Sequence, residues 1–318
     1  MTSSPLRPVV WVPSYGPEAV SLDRLREKFS RPSVAMGEAW FMSEKRKMFP
    51  ELLGDLNSLP DELLLDAVEE IVSGLTCFGP FEEWLEWYDY LLPHLVAREW
   101  QPAVIYQPIE TCITAFMARY PDADRLPDRR FRDDALRTLG LYIMSPRFWP
   151  EGHFRAFECL SKWAGPTGVR DWPHAGNLLS GSLLFCIKYL EHAEIEPWFR
   201  SVLAVPDPVW TIQIVTWLVG AHPLLSGAVN NPAELPEEAR FRIDWNWSHA
   251  LQGAYSGHEE EPIERIPLLS GPNKALVLEL ARAWDIGEFL ESAFNDPGSE
   301  WITWELVGLP QAYEELYG

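Results

Sequence analysis

Apolar residues recur at three- and four-residue spacing along almost the whole chain, which is the period of an amphipathic helix. After Ser58-Leu59-Pro60-Asp61, a single stripe runs through Leu64, Ala67, Val68, Ile71, Val72 and Leu75. Asp61, Glu62, Glu69 and Glu70 fall mostly on other faces and Gly74 lies near the stop, so the pattern predicts a helix. A second stripe opens after Gly79-Pro80 and joins Phe81, Trp84, Leu85, Tyr88, Leu92, Leu95 and Val96. Trp87, Tyr90 and Leu91 widen it, which predicts a helix buried on two sides. Pro93 is expected to kink or divide this helix, because it removes a backbone donor. The same spacing predicts helices over 105–117, 135–143, 154–163, 179–190, 209–218, 241–255, 274–284 and 301–317. Only Val9-Val10-Trp11-Val12, bracketed by Pro8 and Pro13, has strand character. The expected fold is all-α: an irregular helical array of roughly a dozen helices with at most one short N-terminal strand.

Proline is frequent, at 28 of 318 residues against ~5% in an average chain, and it separates the predicted helices at helix-plus-turn intervals. Two such units span about 40 to 47 residues, the period of helix-pair repeats. The run Pro206-Asp207-Pro208-Val209-Trp210, continuing to Val215 and Leu218, resembles the start of the second helix in HEAT-type repeats, although Trp210 and Trp217 are bulkier than that family's usual residues. The resemblance covers residues 206–218 and implies a solenoid or α/α superhelix whose concave surface binds a partner, with no chemistry of its own. No long linker divides the chain. One domain over 1–318 is expected, with a weak subdivision near 165–173.

Charge changes the picture more than composition does. The 26 Lys and Arg against 47 Asp and Glu give a net charge of −21, which repels phosphate backbones and anionic lipid, so neither nucleic acid nor membrane is expected as a partner. The charge is also blocked. Residues 51–96 hold eleven acidic and no basic residues, 119–170 hold ten basic and seven acidic, and 191–318 hold twenty-one acidic and six basic. If the helices stack in chain order, these blocks become surface zones that steer a basic protein. The carboxylates expected to meet it are Glu82, Glu83, Glu86 and Asp89, then Glu259, Glu260, Glu261 and Glu264. Cys77, Cys112, Cys159 and Cys186 stand far apart, without a CxxC pair, and no secretory or membrane-spanning apolar run is visible. A cytoplasmic chain with reduced cysteines is expected.

Catalytic signatures are absent from the sequence: no His pair of zinc-protease spacing, no P-loop, no Gly-rich dinucleotide turn and no nucleophile elbow. No metal or cofactor is expected. The enzyme reading with most support is an α/α toroid acting on carbohydrate, with Asp171 and Asp244 as paired carboxylates and the adjacent Trp172 and Trp245 as sugar platforms. The reading favoured over it is a non-catalytic protein-binding or protein-neutralising factor, of the immunity or antitoxin kind, with acidic surfaces for a basic partner.

Overall fold

Eleven α-helices form among the described residues of the computed structural model, and most start and stop where side-chain chemistry dictates. The structure describes residues 7–37, 47–74, 81–101, 106–155, 161–164, 171–174, 177–240, 242–243, 245, 247–252, 267–287 and 308–318. In chain order the helices are α1 (Ala19–Lys28), α2 (Asp61–Gly74), α3 (Phe81–Ala97), α4 (Tyr106–Arg119), α5 (Arg129–Thr138), α6 (Asn177–Tyr189), α7 (His192–Leu203), α8 (Pro208–Ser226), α9 (Glu237–Arg240), α10 (Gly271–Arg282) and α11 (Leu309–Tyr317). The fold is all-α.

The caps explain several boundaries. Asp128 accepts the Phe131 N–H at 2.8 Å ahead of α5, and Asp207 accepts the Trp210 N–H at 2.8 Å ahead of α8, satisfying donors that have no partner inside the helix. Glu191 and Glu194 form a reciprocal capping box at the start of α7. Gly227, with φ of 82°, ends α8 in the left-handed conformation that glycine adopts without a Cβ penalty. Pro93 does not divide α3. The helix runs through it, with Leu91, Leu92, Leu95 and Val96 buried around the missing donor.

Helix α4 packs against α2, α3 and α6, and the later helices α8, α10 and α11 pack on one another, with α7 on α10. Sequence neighbours are not always spatial neighbours: α1 lies on α5 and α3. Two aromatic clusters fill the centre. Phe116 meets Phe131, Phe185, Tyr189 and Tyr120 with ring centroids 4.9 to 5.7 Å apart. Trp210 meets Trp11, Trp149 and Phe154 at 5.0 to 5.8 Å. Edge and tilted geometries of this kind add to the gain from burying large rings.

Three predicted elements are corrected. Val9 to Val12 is extended but unpaired; Val9 and Trp11 are buried, and the Trp11 N–H donates to Ser201 Oγ at 2.8 Å. Its prolines remove ladder donors and the Trp11 ring fits between Trp198 and Trp210, so tertiary burial replaces strand pairing. Of the helix expected over 154–163, residues 154–155 are not helical and 161–163 lie in a strand, while 156–160 lie outside the described residues. Short 3-10 turns at Pro146–Phe148 and Pro150–Gly152, with Glu151 at φ of 55°, precede them, and Ser161–Ala164 (β3) pairs antiparallel with Asp171–His174 (β4). Met36–Gly37 (β1) pairs likewise with Lys47–Met48 (β2). The described part of 241–255 contains a 3-10 turn, Ser248–Gln252, in place of a long helix.

Helix α5 is the unusual element. Its charged residues Arg132, Asp133, Asp134 and Arg137 are all less than a tenth exposed, a situation that requires paired charges. The Arg24 guanidinium of α1 binds both Asp134 carboxylate oxygens, with its Nε 2.9 and 3.0 Å away. Arg132 binds Asp133 at 2.7 Å and Glu191 at 2.9 Å, and lies 3.3 Å from Glu194. Arg137 donates to Glu18 at 2.8 Å and to the Arg7 carbonyl. Gly16 makes the approach of the N-terminal segment possible, since a Cβ there would sit 2.6 Å from the Leu141 carbonyl oxygen.

Removing one member of a buried pair strands the other. Asp134→Ala is therefore expected to lower stability in urea denaturation by about 3 kcal/mol, while Asp134→Leu combined with Arg24→Met loses clearly less than the two single changes added together. Simple additivity of the two would count against a coupled buried pair.

Candidate partner-binding face and cleft

The site is built from two adjacent helices and the loop that follows α1. On α2, Glu62, Asp66 and Glu69 follow i, i+4, i+7 spacing and share one face. Glu62 and Asp66 are exposed and Glu69 is half-buried. Burial, and then the neighbouring Asp66 charge, raise the Glu69 carboxyl above its ordinary value. Among the described residues no cation stands within ion-pair distance of these three, so their field is uncompensated locally. Asp61, on the same helix, differs: it is buried and accepts from Arg98 at 2.6 Å and from the Gln101 N–H at 2.9 Å.

On α3 the four predicted carboxylates separate. Glu86 is exposed and Glu83 is half-buried. The Glu82 side chain, like Glu259, Glu260, Glu261 and Glu264, lies outside the described residues. Asp89 is not a surface carboxylate: it is 8% exposed and accepts a hydrogen bond at 3.0 Å from the Tyr120 hydroxyl, with Arg119 3.9 Å away. Its position explains this, since Asp89 follows Leu85 by four residues and falls within the widened apolar stripe of α3. Burial pushes its carboxyl up to about 6, with Glu86 adding to the rise and Arg119, Tyr120 and Lys28 opposing it.

Asp89 lies in the wall of a cleft of about 350 Å³ formed with Glu86 and with Lys28, Phe29, Ser30, Arg31 and Pro32 at the end of α1. A second cleft, about 260 Å³, is lined by Arg24, Asp128, Phe131 and Asp134 among others. Lys28 lines both, held by Asp128 at 2.6 Å and 5.5 Å from the Phe131 ring centroid. Sequence reasoning did not find these clefts. The only signal available was an acidic residue on an apolar stripe.

Within the basic zone, Arg132 and Arg137 serve internal ion pairs, leaving the more exposed Arg125 and Arg129 beside Asp122 and Glu191; outside it, Arg24 and Arg98 serve the buried Asp134 and Asp61. Elsewhere, Lys188 donates to the Leu268 carbonyl at 2.8 Å, and burial lowers its ammonium to about 8 against the pull of Asp122. His153 is exposed, with Nδ1 3.5 Å from the buried Asp207 carboxylate that caps α8. Cys112 and Cys186 are buried free thiols, both raised by burial, and Cys77 and Cys159 lie outside the described residues. Among the described residues no group of three or more His, Cys, Asp or Glu is placed to hold a metal.

For the carbohydrate reading, Asp171 is in β4 opposite Ala164, with its side chain outside the described set, as are Asp244 and the Trp172 side chain. Trp245 is 4% exposed and donates through Nε1 to Thr114 Oγ1 at 2.8 Å, so this indole is a core residue and offers no open stacking platform. Among the described residues one helix, α8, is long and apolar enough to cross a membrane, and 78% of its apolar window is buried inside the fold. The chain matches no family model, no curated protein and no solved structure.

The raised Asp89 value makes a signed prediction. A carboxyl that titrates higher in the fold than its ordinary 3.8 contributes stability that is complete below that value and is lost as pH rises through about 6. Asp89→Asn is therefore expected to be more stable than wild type at pH 8 by about 1–3 kcal/mol. The advantage should shrink to nothing by pH 4 in parallel urea titrations. A gap that does not vary with pH would contradict the assignment.

Proposed function

We propose that the protein is a non-catalytic protein-binding or protein-neutralising factor, of the immunity or antitoxin kind, that works in the cytoplasm and meets a basic protein partner through its acidic surfaces. One observation carries the reading. Among the described residues Glu62, Asp66 and Glu69 form an acidic face without a cation at ion-pair distance, while Arg24, Arg98, Arg132 and Arg137 are committed to pairs elsewhere in the fold. Uncompensated carboxylates of one sign raise the association rate of a cationic partner and orient it before contact. The exposed Glu86 extends the acidic character onto α3. For the sugar-processing alternative, Trp245, one of its two expected platforms, is buried in the core and donates to Thr114, which supports the binding role instead.

The scaffold belongs to the same reading. Asp207 as cap and Pro208 at the first position of α8 fit the resemblance of residues 206–218 to the start of a HEAT-type second helix, and a helical array of that kind presents a broad surface to another protein. The role requires no cofactor, and a net charge of −21 gives no attraction for nucleic acid or anionic lipid.

A pull-down from native lysate at low and at high salt tests this directly, since rim electrostatics weaken as the screening length shortens. Basic proteins should be retained at low salt and released at high salt. With the partner in hand, Glu62→Lys combined with Asp66→Lys should slow association about tenfold at low salt and flatten its salt dependence, leaving dissociation almost unchanged. Association rates equal to wild type would remove the proposed role of this face.

A further inference from the structure

Asp89 is largely buried, with its side chain 11% exposed, yet its hydrogen bonding is incomplete. Oδ1 accepts from the Tyr120 hydroxyl at 3.0 Å. Among the described residues Oδ2 accepts no hydrogen bond and has only a long ion pair, with Arg119 Nη2 at 3.9 Å. A carboxylate offers about four acceptor positions, so a strong acceptor is left open where it borders the cleft. The cleft volume of about 350 Å³ is many times the ~30 Å³ share of one water molecule. Phe29 and Pro32 contribute apolar wall, and Glu86 contributes a second carboxylate. The two cations of the wall have acceptors of their own: Lys28 is held by Asp128 at 2.6 Å, and Arg31 donates to the Gly54 carbonyl at 2.9 Å.

We infer that this cleft is a socket for one cationic side chain, an arginine or lysine of a basic polypeptide, whose charged head binds Asp89 and Glu86 and whose methylene stem lies along Phe29 and Pro32. A long basic side chain matches this combination, since it carries an apolar stem and a charged donor tip. The inference rests on the proposed function and adds to it the residue type that the partner inserts. The socket is also pH-dependent. The groups facing Asp89 are Glu86 on its own helix, Arg119 at the end of α4, Tyr120 just after it, and Lys28 on α1, and their balance leaves the carboxyl half-protonated near pH 6, where its pull on a cation fades.

The test uses the full chain and two capped hexapeptides, hexa-arginine and its uncharged isostere hexa-citrulline, titrated by calorimetry at low salt and pH 8. Wild type should bind hexa-arginine and not hexa-citrulline. Asp89→Asn should weaken hexa-arginine binding at least tenfold, Glu86→Gln should weaken it less, and wild-type affinity should fall between pH 8 and pH 5 while that of Asp89→Asn stays level. Amide shifts in wild-type protein on adding hexa-arginine should centre on residues 28–32 and 86–89, which keeps the test independent of how well the variants fold. Binding unaffected by Asp89→Asn, with shifts confined to α2 and abolished by Glu62→Lys with Asp66→Lys, would overturn the socket and leave the proposed function standing. Hexa-arginine that fails to bind at all would overturn both, and preferential binding of hexa-glutamate would make the cleft an anion site and end the proposal.

Discussion

Helix α5 carries four charged side chains into the interior, and three of them take partners from distant parts of the chain. A buried charge without a counter-ion is costly enough that the fold forms only if the partners arrive with it. Asp134 thus fixes α1 through Arg24, Arg137 fixes the N-terminal segment through Glu18 and the Arg7 carbonyl, and Arg132 fixes the start of α7 through Glu191 and Glu194. Hydrophobic contact alone would not choose this arrangement, because it is non-directional. Guanidinium–carboxylate pairs are directional, and they set where α1 lies across α5 and α3.

The position of α1 then decides the shape of the candidate site. Lys28, at its last turn, reaches Asp128 at the cap of α5, and the loop from Phe29 to Pro32 forms the cleft wall opposite Asp89 on α3. The same ionic layer also leaves α2 negative. Arg24, Arg98, Arg132 and Arg137 are paired with carboxylates elsewhere, and among the described residues Glu62, Asp66 and Glu69 have no cation at ion-pair distance.

Much of the fold was legible because helical periodicity is a local property. The stripes through α2 and α3 and the Asp207-Pro208 start of α8 were each visible within a few residues, whereas α5 starts at Arg129, six residues before the stripe that was read from 135. What was hidden depends on contacts across the chain. Val9 to Val12 reads as a strand, but Trp11 is held by Trp198 and Trp210, about two hundred positions away. Blocks of like charge were visible too, yet the block pattern does not separate Glu62, which stays at the surface, from Asp61, which binds Arg98. The burial of Asp89 had a local sign in its place on the α3 stripe. The hydrogen bond from Tyr120 and the cleft beside α1 had none.

Amide hydrogen exchange of the native protein reads this dependence most directly, because it reports the opening energy of each segment separately. If the ionic layer joins these parts into one cooperative unit, the core amides of α1 and α5 exchange with the same free energy, close to that of global unfolding, and Asp134→Ala lowers both together. Exchange of α1 at a small fraction of the global energy, while α5 stays fully protected, would show that the layer does not hold them together and would contradict the account.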